Sequence, residues 1–190
     1  MVAAYRSHTV ANSASTSYTI NRPTGTTAGD VLVLCVLTDA GDHTDIGTPS
    51  GWTLAVGANS DQQFTRGRVF VKTAGGSEPT SYTVTHDGTS SVAILFCVQD
   101  GQVPGVYASA SAGSGNNIQS PSIDPSSSSG IEIRFVGFDG DGNNRTVPPP
   151  SGYTEPSGAD LRNQSYTHGE ACYKVLESSA ATGALNHLAS

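Results

Sequence analysis

Apolar positions in this chain come in short dense runs separated by Gly, Pro, Ser, Thr and Asn, which is the spacing of strands and turns. Ser81-Tyr82-Thr83-Val84-Thr85 alternates strictly, so Tyr82 and Val84 should face a core and the hydroxyls water. Two runs, Asp30–Thr38 (DVLVLCVLT) and Ser91–Gln99 (SVAILFCVQ), are apolar on both faces. They are expected to be central strands, covered on one side by a facing sheet and on the other by loops or a partner. Further strands are predicted over Val2–Val10, Ser17–Arg22, Trp52–Gly57, Phe64–Thr73, Thr80–His86, Val106–Ser111, Ile118–Ile123, Ile131–Asp139, Ser165–Leu176 and Gly183–Leu188. No segment holds the i, i+3, i+4, i+7 spacing of a helix for three turns. The expected fold class is all-β: an antiparallel β-sandwich, jelly-roll-like or immunoglobulin-like, with a two-layered core.

A weak internal two-fold repeat runs through the pattern. Gly29-Asp30-Val31-Leu32-Val33 is followed by Pro49-Ser50-Gly51-Trp52-Thr53, and Ser129-Gly130-Ile131-Glu132-Ile133 is followed at the same spacing by Pro150-Ser151-Gly152-Tyr153-Thr154. Beyond each lies a run ending in apolar–Lys, at Val69-Phe70-Val71-Lys72 and Ala171-Cys172-Tyr173-Lys174. The half-repeats cover approximately 18–100 and 118–190, and the reading is one sandwich domain over 1–190, with Trp52 and Tyr153 as structural anchors set by their Pro-Ser-Gly turns.

Composition narrows the partners. Only 13% of the 190 residues are charged and the net charge is −7, so the surface is a poor match to nucleic acid or to anionic lipid. Cys35, Cys97 and Cys172 each sit inside an apolar run, which predicts three buried free thiols and assembly in a reducing cytosol. Met1 is followed by VAAYRSHTV, which has neither a basic nor an apolar signal region, so no secretory route is expected. Asn144-Arg145-Thr146 and Asn163-Gln164-Ser165 match the glycosylation pattern only by chance under that expectation.

Candidate chemistry is sparse. Asp39, Asp42 and Asp45 with His43, and Asp139 and Asp141 with Asn143, offer oxygen ligands of the kind calcium takes, but Asp-Gly pairs are also ordinary turn formers. The second loop has Pro150 where an EF-hand would place its closing Glu. No metal or other cofactor is therefore assigned. His8, His43, His86, His168 and His187 never pair at ligand spacing, and no nucleophile elbow or phosphate loop is present, so the expectation is that the protein is not an enzyme. Arg66 and Arg68 share a strand face with Phe64 and Phe70, either as a stripe that docks on a partner or as a solvated edge strand. Trp52 and Tyr153 could otherwise stack on sugar rings, though their place behind the turns suits packing better.

The series Ala28-Gly29-Asp30-Val31-Leu32-Val33, Pro49-Ser50-Gly51-Trp52-Thr53-Leu54, Val71-Lys72-Thr73-Ala74 and Glu78-Pro79-Thr80-Ser81-Tyr82-Thr83-Val84 resembles a β-sandwich module of bacteriophage structural proteins and some secreted bacterial surface proteins. The resemblance spans about Tyr18 to Ser190 and carries no catalytic residues. It implies a bacteriophage virion structural protein located in the virion, most simply a capsid decoration or cement protein. Its partners would be the major capsid protein and copies of itself, as a trimer around a local three-fold axis. A tail or fibre module holding host-surface glycan, or a secreted carbohydrate-binding module, is the alternative.

Overall fold

The computed structural model describes residues 3–39, 45–59, 65–103, 117–125, 129–139, 146–163 and 167–188. Among them there is no helix, and every strand pairing is antiparallel. The strands are β1 (Ala4–Ser13), β2 (Ser17–Asn21), β3 (Val31–Asp39), β4 (Thr53–Asn59), β5 (Thr65–Thr73) and β6 (Ser81–Thr85). They continue with β7 (Ser91–Gln99), β8 (Asn117–Ser120), β9 (Gly130–Asp139), β10 (Asp160–Asn163), β11 (Thr167–Leu176) and β12 (Leu185–Leu188). The run expected at Val106–Ser111 lies outside the described residues, and β10 is a strand the apolar pattern did not predict.

A five-stranded sheet in the order β1-β7-β3-β5-β4 forms the centre. Residues 31–38 of β3 and 91–98 of β7 are buried without interruption, because both faces of this sheet are covered by the chain itself. On one face, Leu32, Leu34, Val36, Phe70, Ala93 and Leu95 pack with Ile20 of β2, Tyr82 and Val84 of β6, and Trp52. On the other, Val31, Val33, Cys35, Ile94 and Phe96 meet Ala171 and Tyr173 of β11, Leu161 of β10, and Ile131, Ile133 and Phe135 of β9. The second cover is thus a three-stranded sheet, β10-β11-β9, where loops or a partner had been expected. The central sheet is thus covered on each side by antiparallel strands, since β3 and β7 carry apolar side chains on both faces and both must leave water.

Two glycines set how closely the central sheet and the three-stranded sheet approach. A Cβ on Gly137 of β9 would overlap the Leu37 side chain, and one on Gly169 of β11 would lie 2.8 Å from Val92 Cγ2. The three cysteines are free and buried, as expected, and burial pushes the Cys35 thiol up to about 12.

The two Pro-Ser-Gly turns close alike. Trp52 N–H donates to Pro49 C=O at 3.1 Å and Tyr153 N–H to Pro150 C=O at 3.0 Å, with φ of +80° at Gly51 and +83° at Gly152. That positive φ at the third turn position is what a type II turn requires and what glycine supplies without a Cβ penalty. The residue after each aromatic bridges to the neighbouring long strand, Thr53 to Val71 and Thr154 to Tyr173.

Candidate functional site: a buried polar cluster beneath the β8–β12 ladder

Strand β9 divides its side chains by parity. Ile131, Ile133 and Phe135 enter the core against the central sheet, so Glu132, Arg134 and Val136 face the opposite way. In β11, Ala171 and Tyr173 turn inward, which puts His168, Glu170 and Cys172 on that same outer face. An outer face of this composition would ordinarily be wet. Here β8 and β12 pair with each other in register Ser120↔Leu185 and Ile118↔His187, and Glu132 and Arg134 are left only 3% and 4% exposed.

Arg134 organises the cluster. Its guanidinium pairs with Glu132 Oε1 at 2.7 Å and donates from Nε to the Tyr153 hydroxyl at 3.0 Å. Nη1 donates to Ser120 Oγ at 2.5 Å, and Nη2 to Thr182 Oγ1 at 3.1 Å and to Gly183 C=O at 2.9 Å. Tyr153 in turn donates to Glu132 Oε2 at 2.5 Å. Burial, and then the neighbouring Glu132 carboxylate, push the Tyr153 phenol up to about 12. The planar five-donor fork of arginine is the only side chain that could serve so many acceptors at once.

Beside it runs a second chain of polar groups. Ser120 Oγ lies 2.9 Å from His187 Nε2, and His187 Nδ1 lies 3.4 Å from Glu170 Oε2. His187 and Glu170 are both 0% exposed and Ser120 is 8% exposed. Neither Glu170 oxygen nor His187 Nδ1 has a hydrogen-bond partner within normal length. The Cys172 thiol is raised by burial and further by Glu170, while Glu155 is raised by burial, Glu170 and Asp160. His168 pairs with Asp160 and lies against the Phe138 ring, centroids 4.5 Å apart.

The residues singled out in the sequence lie elsewhere. Phe70 is fully buried in the first core and so is no surface contact; Phe64 lies outside the described residues. Arg66 and Arg68 are half-buried on β5, and Arg68 reaches Asp45 at 4.0 Å. Trp52 is 7% exposed, edge-on to Tyr82 at 5.1 Å, with the Lys72 ammonium 5.8 Å from its ring. Tyr153 is half-buried, with Arg134 and Lys174 over its ring at 5.3 and 5.7 Å. Of the two Asp-rich loops, Asp42, His43, Asp141 and Asn143 are outside the described residues. Asp39 accepts from Thr89 Oγ1 at 2.6 Å, a link to the segment before β7, and Asp45 accepts locally from its neighbour Ile46 N–H at 2.8 Å. Among the described residues, no group of three or more His, Cys, Asp or Glu is placed to hold a metal ion.

The buried cluster was not singled out from the sequence. Ile131-Glu132-Ile133-Arg134-Phe135 reads as a strand with one wet face, and its alternation carries no sign of the second ladder that covers it. Comparison of the chain with protein-family models, with curated proteins and with solved structures finds no match.

Proposed function

We propose that the protein works by contact, as a structural component of a virion, and most simply as a capsid decoration or cement protein. The resemblance of its motif series to virion modules supports this. The structural observation that carries it is the edge strand β4. Among the described strands it ends the central sheet, with β5 on one side only, and its Leu54 is 47% exposed. An edge strand with an exposed apolar side chain is a template for another chain, here a capsid subunit or a second copy. The low-charge surface supports the same reading, since contact of this kind needs little electrostatic steering. Trp52, turned into the core, offers no open ring face to a sugar, which weighs against the glycan-binding alternative.

The same reading includes one sandwich built from two related halves. The register supports it: Leu34 pairs with Phe70 where Arg134 pairs with Cys172, and Tyr18 pairs with Val84 where Ile118 pairs with His187. Mass spectrometry of purified particles tests the assignment. Many tens of copies per particle is the cement outcome, a handful moves the protein to the tail, and none removes it from the virion. Leu54→Asp should abolish binding to particles without unfolding the chain; unchanged binding would exclude β4 as the contact.

A further inference from the structure

Superposing the two registers places an apolar core opposite a polar one. Ile20, Leu32, Leu34, Phe70 and Val84 fill the first half. At the matching ladder positions the second half carries Ser120, Glu132, Arg134, Cys172 and His187. Charged groups buried where hydrophobic ones pack equally well do not gain stability from the exchange, and departures of this kind concentrate at sites of function.

We infer that Ser120 is a nucleophile for acyl transfer, with His187 as its base and Glu170 as the group that orients the imidazole. The three lie in one line: Oγ to Nε2 at 2.9 Å, then Nδ1 to Oε2 at 3.4 Å. A nucleophile, a base within hydrogen-bond reach, and a third group behind the base make the arrangement that activates serine, and the outer link is commonly long before substrate binds. With the imidazole proton on Nδ1 toward Glu170, Nε2 accepts from Ser120 Oγ. Arg134 Nη1, 2.5 Å from Oγ, donates to one lone pair of the hydroxyl and so holds it with its own proton free to point at Nε2. Ser120, 8% exposed, is the one member of the line that is not fully buried.

The donor class is a small ester. As the Oγ–carbon bond forms, the ester carbon–oxygen bond breaks; the Oγ proton passes to Nε2 and from there to the departing oxygen, leaving an acyl-serine. The inference is independent of the virion reading, which concerns outer edges.

The test is to treat the intact folded chain with 4-nitrophenyl acetate near neutral pH and map acetylated serines by mass spectrometry. Ser122, exposed and two residues along the same segment, is the internal standard. Ser120 should acetylate roughly 100-fold faster than Ser122, the lower range of general-base assistance. Glu170→Gln should reduce the Ser120 rate about tenfold or more, and urea should bring it to the Ser122 level. Equal acetylation of Ser120 and Ser122 in the folded wild-type chain overturns the inference, with no variant required. A Ser120 rate unchanged by urea overturns it as well. Either result leaves the particle assay untouched, so the two readings fail separately.

Discussion

At the residue scale, one buried histidine gives the fold a pH dependence whose sign can be worked out. His86 is buried near the end of the first core, with Nδ1 3.2 Å from Thr38 Oγ1 and Nε2 without a partner. Burial lowers its pKa by more than backbone groups of Ser15 and Gly88 and the Asp87 charge raise it. The unfolded chain therefore takes up a proton more readily than the folded one. The contribution is intact above the ordinary histidine value of about 6.5 and is lost as pH falls below it, by at most about 1.4 kcal/mol per pH unit for one proton. Thermal melts between pH 7.5 and 5.5 should show a falling Tm, with a shallower fall in His86→Gln; parallel slopes would rule His86 out. Asp30 and Glu78 behave the same way at lower pH. Burial pushes both up, but hydrogen bonds from Thr27 N–H to Asp30 and from Gly75 N–H to Glu78, with Arg6 and Lys72 nearby, hold each below the usual carboxylate range. Their contribution is lost only as pH falls below about 4.

At the scale of elements, the fold depends on how closely the three-stranded sheet sits on the central one, and Gly137 governs that spacing. A methyl group there meets Leu37 in a packed interior, so Gly137→Ala should cost about 1–3 kcal/mol in urea unfolding, as overpacking does. Gly152→Ala meets no neighbour, so any loss there must come from its φ of +83° alone. Equal, small losses at both glycines would mean that the sheets do not touch at β9. The strands themselves were legible in the sequence. VLVLCVL and SVAILFCV are too apolar for one wet face, and Tyr82 and Val84 alternate cleanly with hydroxyls, so their burial follows from composition. Strand β10 was not legible, because Asp160-Leu161-Arg162-Asn163 carries one apolar residue and owes its pairing to β11. The identity of the second cover was hidden for the same reason: it is set by long-range register, and a local pattern records only that a cover is needed.

At the scale of the whole molecule, the β3–β5 ladder turns apolar side chains into the first core while the β9–β11 ladder turns charged ones into the buried cluster, and this explains why the candidate site was invisible in the sequence. Glu132 and Arg134 alternate with Ile131, Ile133 and Phe135, which is the signature of a solvated face; the pairing of β8 with β12, tied to Arg134 through Ser120, turns that face inward. If the halves are equivalent, the second should accept the first half's residues. A chain carrying the first half's residues as Ser120→Ile, Glu132→Leu, Arg134→Leu and His187→Val, with Glu170→Met to remove the last buried charge where Arg68 is the matching residue, should unfold within about 2 kcal/mol of the wild type or be more stable, because no buried charge is left unmatched. Arg134→Ala alone should cost about 3–5 kcal/mol, since it strands the buried Glu132 carboxylate and frees the acceptors on Ser120, Thr182 and Gly183. Urea titration of both chains separates the possibilities. If the fivefold variant is as unstable as the single one, the polar network is what seats β8 and β12 on β9, and the likeness between the halves ends at the backbone. If it is stable, the fold has no need of these charges, and the chemistry of the Ser120–His187–Glu170 line is left as the reason for their presence.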